Sequence, residues 1–332
     1  MIFNNFKISI LDAVQSANFN KFYQIVSKYP EHSEKLNKVF LEKSGDNIVH
    51  LAAQTNCIDI IKYIYENGNK VLLIQKNLDG KSPLHIAAHC GHLNSVQFLL
   101  SCQVPVDPLK RADWTPLMLA CTKNNADVVK VLVENGANLL LKNKDGWTAF
   151  HIASREGHID VIKNLLLKNP NLWKTRSNNG RTPLHTASLH GHLDIVKLIT
   201  SNSDCDNDVQ DCCGTTPLMD AGSANHLLVV QFLIEQKASI LKVDALGRNV
   251  LHLAAQSASL SCIQYLISQC GLNVNQQNSD GLTPLHFAAK ENNSDCIKLL
   301  LKLNATPTIK DNKCRTASQY TSKEEICKLL LP

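Results

Sequence analysis

The sequence reads GKSPLHIAA from Gly80, and eight further copies of this phrase recur along almost the whole chain. Successive copies begin 33 to 35 residues apart. They start at Gly45, Gly80, Asp113, Gly146, Gly180, Gly214, Gly247, Gly281 and Cys314, and the last copy is degenerate. A phrase that returns at a nearly fixed interval is typical of a protein built from stacked copies of one small structural unit. The repeat therefore decides the fold.

Each copy carries the signals of a helix start. Its third residue is always Asn, Ser or Thr, whose side chains cap the first N–H groups of a helix. Proline follows in five copies and suits the first helical position, where its missing N–H needs no partner. Six residues after the histidine position most copies have Gly or Asn, which tolerate the left-handed backbone of a helix end. Ala258 stands there in one copy, so we predict a strained or altered turn at that residue.

A second helix is predicted in each repeat from apolar residues at helical spacing, as in SVQFLL from Ser95 and DVVKVLV from Asp127. The link to the next phrase, for example GANLLLKNKDGW from Gly136, is short and rich in turn residues. It predicts a hairpin-like finger and not a third helix. A single helix pair can bury only one face, so neighbouring pairs must stack. The predicted fold is an all-α repeat solenoid, elongated and curved.

This pattern strongly resembles the ankyrin repeat family, whose signature GxTPLHxAA recurs at about 33 residues. The resemblance covers residues 43 to about 331. It implies helix-turn-helix units joined by fingers, and a long concave surface that binds other proteins. We divide the chain into an N-terminal helical cap (1–41), an array of about eight repeats (42–310) and a degenerate C-terminal capping repeat (311–332).

Composition limits the class of protein. Apolar residues make up 44% of the 332 residues and aromatic residues only 5%, so the core must consist mainly of Leu, Ile, Val and Ala. The N-terminal stretch MIFNNFKISILDAV predicts no signal peptide. No run approaches the roughly 18 apolar residues of a membrane helix, so no membrane contact is predicted. Twelve cysteines without a secretory signal predict a reducing compartment, the cytoplasm, with the nucleus as an alternative.

Repeated histidines could suggest a metal site or an active site. Six of them share one position of the phrase: His50, His85, His151, His185, His252 and His286. Metal ligands must converge, whereas these residues are one repeat apart, so we predict a structural hydrogen bond near each helix start. The cysteine cluster Cys205, Cys212 and Cys213 lacks the spacing of a zinc site and is predicted to be plain thiols. The sequence predicts no catalytic residue, no metal and no cofactor, and hence a binding protein.

Residues 108–181 form the most distinctive segment. It contains all three tryptophans, Trp114, Trp147 and Trp173, and twelve Lys and Arg residues against six acidic ones. Trp114 and Trp147 take the same turn position, where most other copies have polar residues. Because packed helices lie about 10 Å apart, we predict two neighbouring solvent-facing rings. Tryptophan dominates interface hot spots, so the rings predict a partner surface. The alternative is that each ring covers only its own finger.

Basic residues accompany the tryptophans in three successive fingers. They are Lys110, Arg111, Lys142, Lys144, Lys174 and Arg176. Such a stripe attracts an acidic protein surface or an anionic ligand, with solubility as the alternative explanation. A net charge of +5 with interspersed acids disfavours direct nucleic-acid binding. The predicted contacts to a protein partner are Trp114, Trp147, Trp173, Arg111, Lys142 and Arg176, and we expect a monomer.

A closer resemblance within the family suggests the partner. The stretch from Leu109 to Lys197 is similar to an ankyrin-repeat cofactor of alanyl-tRNA synthetase, which binds the catalytic domain of the synthetase and accepts misactivated serine on its own lysines. The resemblance implies acceptor roles for Lys144 and Lys174. A third acceptor position falls on Arg111, whose guanidinium stays protonated and cannot react, so Lys110 is the alternative. The other function left open is a generic ankyrin adaptor in a signalling or protein-degradation complex.

Overall fold

A computed structural model describes residues 2–29, 36–67 and 69–331. The chain forms two compact units, Met1–Thr175 and Arg176–Pro332. Each unit is built from helix pairs that return at the interval of the sequence phrase. Within the described ranges the secondary structure is helical, and only isolated β-bridges occur besides the helices. The predicted all-α repeat fold is confirmed.

The helices follow the phrase closely. In the first unit they are α1 (Ile2–Gln15), α2 (Phe19–Lys28), α3 (Ile48–Gln54), α4 (Ile58–Glu66), α5 (Val71–Ile74), α6 (Pro83–Cys90), α7 (Leu93–Ser101), α8 (Pro116–Cys121), α9 (Ala126–Glu134), α10 (Ala149–Glu156) and α11 (Ile159–Lys168). In the second unit they are α12 (Pro183–Leu189), α13 (Leu193–Thr200), α14 (Pro217–Ser223), α15 (Leu227–Glu235), α16 (Val250–Gln256), α17 (Leu260–Ser268), α18 (Pro284–Lys290), α19 (Ser294–Lys302) and α20 (Glu324–Leu329). Single 3₁₀ turns lie at Leu36–Lys38, Arg111–Asp113, Leu172–Lys174 and Ala317–Tyr320.

Helix α6 shows why the phrase starts a helix. Ser82 has an extended backbone, with φ −88° and ψ 166°, and Pro83 takes the first helical position. Leu84, Ala87 and Ala88 are buried on the face that packs against α3 and α8. Small alanines let these helices approach closely, and burying one leucine side chain contributes about 2 kcal/mol. The same residue types recur in the first helix of each repeat, so the core extends through each unit.

The repeated histidine links neighbouring repeats. Nδ1 of His85 accepts a hydrogen bond from the Ser82 N–H at 3.0 Å, and Nε2 lies 3.1 Å from the Trp114 carbonyl in the next repeat. Because a carbonyl can only accept, Nε2 carries the proton. Four equivalent rings place Nε2 2.8 to 3.2 Å from a carbonyl of the following repeat: His50, His185, His252 and His286. The predicted structural role near the helix start is confirmed.

The turn after the first helix has the predicted left-handed backbone in most repeats. Gly91 has φ +76°, and Asn56 has φ +55°. Ala258 also has φ +55° at this position, although an alanine side chain is poorly suited to that region. The predicted strain at Ala258 is therefore confirmed, and the turn itself keeps its ordinary shape.

The link between the first two phrases differs from the prediction of a simple finger. Residues Val71–Ile74 close one turn of helix, and Leu72 and Leu73 are buried. This link is the longest between successive phrases, at 35 residues from start to start. In this link the helical turn buries both leucines.

Helices α1 and α2 precede the repeats. Phe6 and Ile10 of α1 and Phe22 and Val26 of α2 are buried, and α1 packs against α3 of the first repeat. This pair therefore covers an apolar face of the first repeat. Residues 30–35 of the predicted N-terminal cap lie outside the described residues.

Helix α20 lies at the opposite end of the sequence. It buries Ile326, and Leu330 directly after it is also buried, whereas Leu331 is 64% exposed. The sequence predicts a final capping helix from Glu324 to Leu331, and the helix ends two residues earlier, at Leu329. It packs against α19, so its apolar residues contact the last complete repeat.

Candidate protein-interaction surface

Backbone hydrogen bonds join neighbouring fingers of the first unit. The Arg111 N–H donates to the Asp79 carbonyl at 3.2 Å, and the Lys144 N–H donates to the Ala112 carbonyl at 3.0 Å. Arg111 and Lys144 therefore occupy the same position in successive fingers, and both side chains are exposed. Lys142 is exposed two residues earlier in the same finger. The structure thus brings three of the predicted basic residues into one row.

Trp114 is partly exposed at the base of the finger that leads into the third repeat. Its carbonyl accepts hydrogen bonds from the Lys110 N–H at 3.0 Å and from Nε2 of His85 at 3.1 Å. The Lys110 ammonium lies 5.3 Å from the centroid of the indole ring, within the range of cation–π attraction. The residue is therefore held in place before any partner arrives, which lowers the entropy cost of docking.

Trp147 takes the same turn position in the next finger and is also partly exposed. The Asn143 side chain accepts from the Trp147 N–H at 2.9 Å, and the Asn143 N–H donates to the Trp147 carbonyl at 3.0 Å. The His151 ring stacks with its centroid 6.3 Å away, and the Arg155 guanidinium carbon lies 5.8 Å from the indole centroid. Contacts within its own repeat therefore fix this ring as well.

Trp173 differs from the other two tryptophans. It lies in the 3₁₀ turn Leu172–Lys174 and is only 9% exposed, beside the fully buried Leu172. The turn directs both apolar side chains inward, so this ring covers its own repeat and offers little area to a partner. We therefore withdraw Trp173 from the predicted contacts. Lys174 remains exposed, with Nζ 4.9 Å from the centroid of the Trp173 ring.

Lys110 stands where most fingers have an Asp or Asn that caps the turn. In the next finger Oδ1 of Asn143 accepts two backbone N–H groups at 2.9 and 3.0 Å. A lysine side chain cannot accept a hydrogen bond, so the finger that contains Lys110 lacks this cap. Its turn instead places Ala112 and Asp113 at φ +62° and +61°. The departure is visible when the copies are aligned, and sequence reasoning missed it.

The Lys110 amine also has an unusual electrostatic environment. Burial lowers its pKa, and nearby Lys81 lowers the pKa further, whereas Asp79 acts in the opposite direction. A lowered pKa leaves a larger neutral fraction of the amine than an ordinary surface lysine has.

Arg111, next to Lys110, forms an exposed ion pair with Asp79, with 3.8 Å between Nη1 and Oδ1. An exposed pair of this kind adds little stability, so the pair does not fix the finger.

A cavity of about 340 Å³ lies between the fingers and the first helices of the first three repeats. Lys81 and Lys110 line it from the fingers, and Ile86, His89 and Cys90 line it from α6. Burial lowers the pKa of His89, as does the charge of nearby Lys123, so its ring is neutral near pH 7. Sequence reasoning missed His89 and Cys90. The available signal was their spacing, three and four residues after Ile86 on one helix face.

Arg176 belongs to the second unit. Its guanidinium Nη1 donates to the Gly180 carbonyl at 3.1 Å and to the Gln210 carbonyl at 3.2 Å. The side chain thus holds two neighbouring fingers of the second unit together. This structural role stands beside its predicted role as a partner contact.

An ion network in the second unit was also missed. Arg181 takes the turn position that Trp147 has in the preceding repeat. Its guanidinium lies 3.2 Å from an oxygen of Asp211 and 2.6 Å from an oxygen of Asp220. Asp220 is only 5% exposed. Burial raises the pKa of Asp220 to about 6, and Arg181 limits the rise. The partners are 30 and 39 residues apart in sequence, so no local pattern reveals the network.

These features define a class of protein, a repeat-built binding module that presents variable side chains from regularly spaced fingers. The sequence model described as "Ankyrin repeats (3 copies)" matches overlapping segments 11–111, 104–176, 135–211, 164–244, 198–278 and 251–332. The chain belongs to the ankyrin repeat family. Ankyrin repeats support binding to protein partners, which confirms the general prediction of a protein-binding solenoid.

Several larger proteins contain similar repeats. The chain is 39% identical over 105 residues to the human transient receptor potential cation channel subfamily A member 1, covering 31% of the chain and 9% of that protein. It is 35% identical over 112 residues to mouse ankyrin repeat and SAM domain-containing protein 6, covering 33% of the chain and 12% of that protein. It is 30% identical over 147 residues to ankyrin repeat and KH domain-containing protein mask-1 of Caenorhabditis elegans, covering 43% of the chain and 6% of that protein. These matches span only a small part of each relative.

None of the helices in the described ranges has the length and apolar character needed to span a bilayer. Among the same residues, no group of three or more His, Cys, Asp and Glu side chains is placed to hold a metal ion.

Proposed function

We propose that this chain docks on the catalytic domain of alanyl-tRNA synthetase through the fingers of its first unit and accepts misactivated serine on Lys144 and Lys174. The observation that carries the proposal is the exposed row of Lys142 and Lys144 beside the partly exposed, preorganised Trp147. The partner is suggested by the similarity of Leu109–Lys197 to ankyrin repeat domain-containing protein 16, which has this role.

The acceptor chemistry follows from the activated serine. In the seryl adenylate the serine carbonyl forms a mixed anhydride with AMP. The lysine Nζ attacks the carbonyl carbon, a C–N bond forms, and the bond from that carbon to the phosphate oxygen breaks. AMP leaves with the electron pair, and the amine proton passes to water. Each lysine reacts once, so the chain is consumed as a stoichiometric acceptor and not as a catalyst.

Docking must select the lysine. An ordinary lysine with a pKa of about 10.4 is only about 0.1% neutral near pH 7.4. Such an amine reacts efficiently only when it is held about 3–3.5 Å from the carbonyl carbon. Lys144 and Lys174 are exposed and therefore reachable by a docked active site. The Lys110 amine lines the cavity, so Lys110 becomes an acceptor only for an adenylate that enters the cavity.

The decisive experiment combines the purified chain with alanyl-tRNA synthetase, ATP and serine, and maps seryl groups by mass spectrometry. We expect labelling at Lys144 and Lys174, and none at Lys298 and Lys323, which belong to the second unit. Lys144→Arg keeps the charge and removes the nucleophile, so it should abolish labelling at 144 without weakening docking.

Three outcomes would overturn the proposal. Uniform labelling of surface lysines would indicate free adenylate in solution and not capture at a docked site. Stable docking without labelling at Lys144 or Lys174 would leave a binding protein with no acceptor role. Failure to recover the synthetase from lysate by pull-down would favour the adaptor function in a signalling or degradation complex.

A further inference from the structure

Two adjacent thiols lie at the tip of a finger in the second unit. Cys212 and Cys213 are both exposed, and their Sγ atoms are 4.0 Å apart. Their backbone is fixed on both sides, since the Cys212 N–H donates to the Asn179 carbonyl at 3.0 Å and the Cys213 carbonyl accepts from the Ala245 N–H at 2.9 Å. The pair is therefore presented to solvent from a backbone tied to both neighbouring fingers.

The geometry of the pair disfavours a direct disulfide. Adjacent Cα atoms across a trans peptide are about 3.8 Å apart, whereas disulfides usually join Cα atoms about 4.4–6.8 Å apart. Closing an S–S bond of about 2.05 Å would require the backbone of the finger to shift. A single bridging atom with bonds to sulfur of about 2.3 Å and a tetrahedral angle holds the two sulfurs about 3.8 Å apart. The 4.0 Å separation of Cys212 and Cys213 therefore suits a bridging atom better than a direct bond.

The neighbouring carboxylates are already engaged. Asp211 Oδ1 accepts the N–H groups of Cys213 and Thr215 at 2.9 Å, and its Oδ2 pairs with Arg181 at 3.2 Å. Asp244 Oδ2 pairs with Arg248 at 2.7 Å. The donors left for a ligand at this fingertip are the two sulfurs, and thiolates select soft metal and metalloid ions over hard ones.

We propose that Cys212 and Cys213 form a bidentate thiol site for a soft, thiophilic metal or metalloid ion. The proposal is independent of the synthetase-docking function. With phenylarsine oxide as the probe, each sulfur forms a bond to arsenic and loses its proton. The arsenic-bound oxygen leaves with both protons as water. Arsenic stays trivalent throughout, so the reaction needs no oxidant or reductant.

The contact with the Cys212 thiol and its charge, followed by the charge of Asp211, raise the pKa of the Cys213 thiol. Binding of a thiophilic ion displaces the protons, and capture should therefore strengthen as the pH rises.

The test uses the full chain, phenylarsine oxide, and gel filtration in an excess of a monothiol such as glutathione. We expect the wild-type chain to keep one phenylarsenic group, and a small dithiol to remove it. Cys212→Ser and Cys213→Ser should each reduce retention by at least about 100-fold, because the second sulfur acts at high effective concentration. Cys314→Ser removes an exposed fingertip cysteine without a neighbouring thiol and should behave like the wild type.

Each contrary outcome is informative. Wild-type retention by Cys212→Ser or Cys213→Ser would overturn the proposal, as would loss of retention in Cys314→Ser. A wild-type chain that keeps no arsenic would also overturn it. Circular dichroism checks that the variants fold. If one does not, peptide mapping of the wild-type adduct decides: arsenic bridging Cys212 and Cys213 supports the site, and arsenic on other cysteines excludes it.

Discussion

Mild acid should destabilise both units through their buried histidines. His85, His185 and His252 are fully buried, and burial lowers the pKa of each from 6.5 to about 4. In the unfolded chain the same rings titrate near pH 6.5. Because the folded pKa is the lower one, the unfolded state binds more protons between these two values. The contribution to stability is therefore complete above pH 6.5 and is lost as the pH falls toward 4.

The size of the effect follows from the pKa difference. Each histidine should lower the free energy of unfolding by about 2 kcal/mol between pH 7.5 and pH 5, and by about 3 kcal/mol by pH 4. Asp220 acts in the opposite direction, because burial raises its pKa to about 6 and the folded state takes up its proton first. That proton uptake raises the free energy of unfolding of the second unit by about 1 kcal/mol between pH 7.5 and pH 5. The two histidines of that unit, His185 and His252, cost about 4 kcal/mol together over this range, so they dominate.

The assay is urea unfolding followed by circular dichroism at pH 7.5 and pH 5. The chain itself supplies the control substitution: Gln319 takes the histidine position in the last copy, and its Oε1 accepts from the Thr316 N–H at 2.9 Å. Glutamine therefore keeps the cap and does not titrate. A variant with His85→Gln, His185→Gln and His252→Gln should lose most of the acid sensitivity. If it loses as much stability as the wild type between the two pH values, buried neutral histidines are not the cause.

Three further predictions concern binding and packing. Replacing Trp114 and Trp147 together by Ala should weaken partner binding by at least about 2 kcal/mol in a titration, with unchanged circular dichroism; normal binding would show that the rings only cover their fingers. The buried Ser188 hydroxyl has no partner among the described residues, so Ser188→Ala should raise the unfolding free energy by about 1 kcal/mol in urea. Gly222→Ala at the same helix position should lower it, because the new Cβ would lie 2.4 Å from a methyl carbon of the next repeat; a destabilised Ser188→Ala or a stabilised Gly222→Ala would refute the packing argument. Deleting the chain from Ser322 onward should expose an apolar face and lower the thermal midpoint or cause aggregation, and an equally stable soluble truncation would contradict this.

Features set by residues close together in sequence could be predicted. Three signals act within one turn of helix: the capping residue, the proline after it and the histidine three residues after the cap. The cap recurs in all nine copies, the histidine in six and the proline in five. The start of α6 at Pro83 and the hydrogen bond from the Ser82 N–H to His85 both follow from these local residues. The strain at Ala258 was predictable for the same reason, since a left-handed turn position is defined by its place in the phrase.

The candidate site was less predictable because its geometry depends on residues far apart. Whether a tryptophan faces solvent is decided by the turn that carries it, and the 3₁₀ turn at Leu172–Lys174 buries Trp173, whereas Trp147 stays partly exposed. The Asp220 network depends on Arg181 from the preceding repeat, which no local pattern indicates. The cavity beside Lys110 arises only when fingers and helices of three repeats meet.

The hydrogen bonds between neighbouring fingers have a consequence for how such a chain can evolve. Within each unit they run from backbone to backbone, as between Lys144 and Ala112 or between Cys212 and Asn179, so they tolerate any side chain at the donor position. Arg, Lys and Cys all occur there in this one chain. Selection can therefore substitute a fingertip residue and alter the choice of partner without rebuilding the fold. The histidine position varies less, with His in six of the nine copies and Met or Gln in the other three, because the ring both caps its helix start and bonds a carbonyl of the next repeat. Residues that can vary and residues that are constrained thus occupy different positions of the same 33-residue unit.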